Sequence, residues 1–278
     1  MLRIFKYELR LRRNTIFILG GIMTALSVSS IIFLLFKGNA IGNLFLRTGT
    51  TEGLWYGITI FSIVFIPMVM FFTCSNGHVD ELLYKDTNYL MLTIPVRSES
   101  ILGGRLLAGF TEFLIYSIIS VIFGIIFIAW GYTASVSNIR FFSALSTILK
   151  NIFVYNPLPL LYSLFAGLSW FLVVGTGFMF VKALTRSFIR KKKLAQFISM
   201  ILFVFIFSWI IRLGVYLSLR WELVQTVDLM ILPVDSAMFG DVKSGSINIH
   251  LITNILLLIV SAVFFFATNW LFDKKVEL

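Results

Sequence analysis

A single cysteine, Cys74, and two histidines, His78 and His250, stand in 278 residues. One cysteine closes no disulfide framework. The two histidines lie far apart, with no thiol or carboxylate cluster at ligand spacing, so they point to no metal centre and read as interfacial hydrogen-bonding residues. No G-x-x-x-x-G-K-S/T stretch occurs, so a phosphate-cradling P-loop is not expected, nor any cofactor bound by this chain, nor catalysis by it. Charge is scarce too. Asp, Glu, Lys and Arg make up 13% of the residues, about half their share in soluble domains, which excludes an ordinary soluble chain.

What fills the sequence instead is apolar: 59% hydrophobic residues, 30 of them Phe, with a mean hydropathy of +0.95. A hydrocarbon core roughly 30 Å thick takes about 20 helical residues to cross. Six runs meet that need, at about 15–36, 54–74, 106–130, 158–181, 194–217 and 249–272. Backbone polar groups in lipid must be paired within a helix or around a closed barrel, and continuous apolar runs without alternation favour helices. The expected fold is an all-α integral membrane protein, one domain over 1–278 with six transmembrane helices.

Lysine and arginine fix the expected orientation, because positively charged flanks stay in the cytoplasm. One side would hold Arg3, Lys6, Arg10, Arg12, Arg13, Lys85, Arg97, Arg105, Lys182, Arg186, Arg190, Lys191, Lys192, Lys193, Lys274 and Lys275, sixteen in all, against seven on the other. Both termini are therefore expected in the cytoplasm and the chain in the plasma membrane. The formal net charge of +10 then reads as topology and attraction to anionic lipid, with no nucleic-acid partner required. Trp55, Tyr56, Trp130, Tyr132, Tyr216, Trp221 and Trp270 fall at expected span ends, the headgroup level such rings prefer. Trp170 and Trp209 lie deeper, where packing between helices is expected.

Residues 1–14 carry Arg3, Lys6, Arg10 and Arg13 at three- and four-residue spacing opposite Leu2, Phe5 and Leu9. That pattern predicts an amphipathic helix lying at the interface. The following apolar run reaches Phe36, too long for the core of a cleaved signal peptide.

Six charges gather in DELLYKDTNYLMLTIPVRSES, within a cytoplasmic connection expected over 76–105. Val79, Leu82, Leu83 and Leu90 share one helical face and Asp80, Lys85 and Asp86 another. Pro95 ends that helix, and Ser98 suits the N-cap of the next. A chain reversal needs about five residues; a thirty-residue connection with its own amphipathic helix reads as a docking surface for a soluble partner.

The run HVDELLYKDTNYLMLTIPVRSESILGGRLLAG resembles the first cytoplasmic loop of type-2 ATP-binding-cassette (ABC) transporter permeases, and the basic N-terminus, six spans and NWLFDKKVEL ending are similar to the same family. Ile94 stands where relatives often have Leu before the Pro. The resemblance implies that Asp80, Glu81, Leu82, Leu83, Tyr84, Lys85, Asp86, Thr87, Leu90, Pro95 and Arg97 form or flank a coupling helix seated on a separate ATPase subunit. That subunit would carry the ATP and Mg, and a second permease subunit, identical or not, would complete the translocation path. Family habit and the abundant aromatic, lipid-facing surface favour export of amphipathic or antimicrobial peptides, as in phenol-soluble modulin and lantibiotic-immunity exporters. Export of lipids or small drugs, and a non-transporting protein that recruits a signalling partner, are the alternatives.

Two extracellular segments also read as amphipathic helices: 137–157, with Phe141, Leu145, Ile148 and Ile152 on one stripe, and 220–233, with Leu223, Val227 and Ile231. The second is similar to that family's re-entrant gate. Glu112, the one carboxylate at membrane depth, either lines a path or pairs with a basic residue near the inner end of a neighbouring helix. The orientation has a direct check. In a Cys74→Ser background, single cysteines at Ser135 and Ser244 should react with an impermeant maleimide outside whole cells, and one at Lys192 should not. The reverse labelling would invert the topology.

Overall fold

The computed structural model describes residues 1–37, 51–76, 97–135, 140–189, 191–221, 224–229 and 245–274. Within them the helices are α1 (Leu2–Lys37), α2 (Thr51–Ile60), α3 (Ile66–Ser75), α4 (Ser98–Ser135), α5 (Phe141–Lys150), α6 (Pro157–Phe188), α7 (Lys192–Arg220) and α8 (Leu251–Lys274). Two strands, β1 (Val224–Leu229) and β2 (Gly245–His250), stand between α7 and α8. Six helical stretches are long and apolar enough to cross a membrane: Leu2–Phe33, Gly57–Ser75, Ser98–Gly131, Pro157–Phe188, Lys192–Arg220 and Leu251–Asp273. Each contains most of one expected span, and the chain is a multi-pass membrane protein on that ground.

Three expectations meet a different structure. The first 14 residues were expected as a separate interfacial helix, whereas α1 runs unbroken for 36 residues, about 54 Å at 1.5 Å per residue. Its buried positions explain this: Glu8, Arg12, Gly20, Met23, Ser27, Ser30 and Ile31 recur at helical spacing across the expected boundary, so a break near residue 14 would turn one half of the stripe away from its partners. The helix expected around Val227 is instead a strand. Val224 pairs with His250 and Leu229 with Gly245 in an antiparallel ladder, which suits the β-branched Val224, Thr226, Val227, Ile247 and Ile249; Leu223 and Ile231 lie outside the described residues. Trp170 packs edge-on against Phe207 at 5.7 Å, but Trp209 is 61% exposed and faces outward from α7.

The other amphipathic segment, expected over 137–157, is helical from Phe141 to Lys150 and continues as a π-helical turn, Asn151–Tyr155; residues 137–139 lie outside the described residues. Ala144 and Ile148 of α5 are buried against Ala129 of α4, with Phe141, Leu145 and Ile152 beside them.

The bundle has two packed groups. In one, α1 lies along α4 and against α2, and α3 packs on α4; in the other, α6 packs against α7 and α8. Between α2 and α3 a π-helical turn, Phe61–Phe65, precedes Pro67. Proline has no N–H to give the carbonyl four residues back, which is that of Ile63. The hydroxyl of Ser120 on α4 donates to that carbonyl, the kind of side-chain substitute that makes proline tolerable in a membrane helix. Ser62 in the same turn meets Ser27 of α1 at 3.1 Å.

The two groups meet where α6 approaches the end of α3. A Cβ placed on Gly175 would stand 2.4 Å from the Ser75 carbonyl oxygen and 2.8 Å from Leu106, so only glycine lets the backbones come this close. Around this contact, Phe171 packs with Met23, Cys74 and Tyr116, and Met179 with Ile101, Leu102 and Leu106. Gly175→Ala should cost about 1–3 kcal/mol by overpacking, read as a lower thermal midpoint in detergent. Gly167→Ala, on the same helix with nothing within 4 Å of the added carbon, should leave it unchanged. Equal midpoints for both variants would mean that the α3–α6 approach is looser than described.

Candidate functional site

Most of the residues expected to couple to a partner lie outside the described residues: Asp80, Glu81, Leu82, Leu83, Tyr84, Lys85, Asp86, Thr87, Leu90 and Pro95. Arg97 is described; it is exposed, and its carbonyl accepts the Ser100 N–H at 2.9 Å as α4 begins. The ends of the 77–96 segment, Asn76 after α3 and Arg97 before α4, are at the end of the bundle that also carries residue 1 and the close of α8.

The start of α4 is held there from several sides. Ser98, expected as an N-cap, turns its hydroxyl to Asp273 Oδ1 on α8. Gly103 and Gly104 let the beginning of α1 settle on α4: a Cβ on either would come within 3.1 Å of Met1 or Ile4 side chains. Because α1 and α4 run parallel with Ile4 beside Gly104 and Gly20 beside Ile119, residues about 100 apart in sequence are neighbours along this whole seam.

That register brings four charges into one buried chain. Arg105 Nε lies 3.0 Å from Glu8 Oε1, Glu8 Oε2 is 3.3 Å from Arg12, and Arg12 reaches Glu112 Oε2 at 3.3 Å. The Tyr116 hydroxyl donates to Glu112 Oε1 at 3.4 Å. The ladder crosses from α4 to α1 and back. Glu8 has no exposed surface and Arg105 and Glu112 have 2% and 3%, so each ion depends on its neighbours in place of water. Desolvating an ion costs several kcal/mol, which only close, multiply bonded partners offset. Two arginines and two glutamates leave the set neutral.

Of the two expectations for Glu112, the structure brings about the pairing, with Arg12 as the basic partner. Glu8 and Tyr116 were not singled out in the sequence, and Arg12 and Arg105 were counted only as topology signals. A signal was there: Glu8 is the sole acidic residue before Glu52, it stands one helical turn from Arg12, and both fall on the stripe of Phe5 and Leu9 rather than opposite it.

At the far end of the bundle a second polar group ties the strands to the helices. Tyr162 of α6 accepts from the His250 N–H at 3.0 Å and from Asn254 Nδ2 at 2.8 Å. Asn254 Oδ1 accepts from Ser169 at 3.1 Å, and Ser218 and Thr253 join α7 to α8 at 2.8 Å. Among the described residues no group of three or more His, Cys, Asp or Glu side chains is placed to hold a metal ion. Compared with protein-family models, with curated proteins and with solved structures, the chain matches none of them.

The ladder predicts a non-additive mutant cycle. Arg12→Met and Glu112→Met each leave one net charge buried and should each lower stability by about 3–5 kcal/mol. The double variant leaves the neutral Glu8–Arg105 pair and should recover most of that loss. Thermal unfolding or protease resistance in detergent measures all three, and simple addition of the two single losses would rule out a coupled ladder.

Proposed function

We propose that this chain is the membrane-spanning permease subunit of an ATP-driven ABC exporter, moving amphipathic or antimicrobial peptides outward with energy from a separate cytoplasmic ATPase. The observation that carries the reading is the 77–96 segment, with its resemblance to a coupling loop, joined directly to a helix braced at its first turns. Force on that segment enters α4 at Ser98. From there it cannot dissipate in loose structure, because Met1, Ile4, Glu8 and Asp273 hold the first turns of α4 against α1 and α8. The ladder from Arg105 to Glu112 then carries α1 along with α4 as one body. In this reading the basic end faces the cytoplasm, Asp80, Tyr84, Lys85 and Asp86 meet the ATPase, and a second permease subunit completes the path. The exposed apolar surface of α7, including Phe197, Met200, Val204, Phe205 and Trp209, would face lipid and the second subunit.

Alanine at Asp80, Tyr84, Lys85 and Asp86 together should abolish co-purification of the ATPase while leaving membrane insertion intact, since truncating one side of an interfacial charge pair costs about 2–5 kcal/mol. Pro95→Gly should keep the ATPase bound and hydrolysing yet lose peptide uptake into inside-out vesicles, because added backbone freedom lets the coupling segment move without dragging α4. Unchanged co-purification in the first variant, or proportional loss of hydrolysis and uptake in the second, would count against the transmission described.

A further inference from the structure

A groove of about 330 Å³ runs along the surface between α1 and α4, beside the charge ladder. Ile16 and Phe17 of α1 and Ile115 and Ile119 of α4 line it, and Gly20 and Gly21 make room in the middle. Towards its end nearer the N-terminus it is lined by Leu9 and by Arg13, the one charged residue of the lining. Arg12 turns inward to the two glutamates; Arg13 is exposed, and among the described residues nothing pairs with it. Arg10 and Lys6 lie on the same face of α1, three and seven residues before it, as the helical repeat requires.

The groove is open to whatever surrounds the bundle, and its depth is that of the apolar run. Water has little to bind in it, since the one hydroxyl on its lining, Thr24, already donates to the Gly20 carbonyl at 2.8 Å. An acyl chain fits such a trough, and a basic site between helices at the headgroup level selects phosphate. A second copy of the chain is a poor occupant, because a two-fold contact over this face would set Arg13 and Arg10 against their own counterparts.

We propose that the groove seats one acyl chain of an anionic phospholipid whose phosphate is held by Arg13, with Arg10 and Lys6 facing the same headgroup. The site is independent of the transport reading and stands whether or not an ATPase partner exists. Bound there, the lipid bridges α1 and α4 on the outer side of the seam that the buried ladder closes from within.

Native mass spectrometry of the whole chain, released from nanodiscs of equal phosphatidylglycerol and phosphatidylcholine, tests it. The wild type should retain phosphatidylglycerol in preference to phosphatidylcholine. Arg13→Gln, at an exposed position, should reduce that preference about fivefold while still retaining a chain. Gly21→Leu, whose added carbon enters open space, should reduce retention of both lipids, and Gly167→Leu, equally open, should change neither. Excess glycerol 3-phosphate should displace nothing. The proposal fails if Arg13→Gln keeps the full preference, if Gly21→Leu retains lipid like the wild type, or if the free headgroup competes. It fails also if Gly21→Leu converts a dimer to a monomer without changing lipid, which would assign the groove to a second copy.

Discussion

A charge inside a bundle of this kind is stable only where an opposite charge is held against it, and four such groups decide how α1 meets α4. Glu8, Arg12, Arg105 and Glu112 lie against one another as ion pairs in a single crossing chain. A slip of one helical turn along the seam would strand at least one ion without water or partner. The ladder is thus better understood as a register lock than as a source of net stability, because apolar residues of the same volume pack at no desolvation cost. Its neutrality is part of the lock, since any single loss exposes a full charge to an apolar surrounding.

The same accounting governs the backbone. Pro67 frees a carbonyl, and the structure answers with a π-helical turn and the Ser120 hydroxyl from α4. Elsewhere the helices approach through small residues, Gly175 against Ser75 and Gly214 against Thr253. Where lipid is as apolar as leucine, close packing and interhelical hydrogen bonds must hold helices together. On α6, Gly175 admits Ser75 and Gly177 admits Phe203 of α7 and Phe264 of α8, and among the six spans its most apolar stretch is the most buried, at half, while α7 shows aromatic rings to the outside.

Packing is tightest in charge at one end. Residue 1, the close of α8, the flanks of the 77–96 segment and the charge ladder gather there, so that segment joins a braced beginning of α4. The opposite end is built differently, from the antiparallel β1–β2 pair and the short α5, tied down by Tyr162 and Asn254 rather than by ions. Charge at one end and neutral hydrogen bonds at the other give the two ends different tolerances to movement: ion pairs constrain position tightly, and hydroxyl and amide contacts rearrange at lower cost.

Spans, their number and the gathering of basic residues were legible in the chain by itself, because hydrocarbon thickness and backbone pairing act on every run of about 20 apolar residues wherever it sits. The amphipathic stripe of α5 was legible for the same reason: Phe141, Leu145, Ile148 and Ile152 already name their buried face. The 220–233 segment was not, since six residues of mixed pattern become a strand only when residues 245–250 arrive as partner. The charge ladder was half legible. Glu8 and Arg12 lie one turn apart and Arg105 and Glu112 two turns apart, which places each pair on one face of its own helix. Which helix faces which, and at what height, depends on Met1 and Ile4 fitting the glycines at 103 and 104 and on Gly175 fitting Ser75. Those are contacts between residues some 100 apart in sequence, and only the folded bundle brings them together.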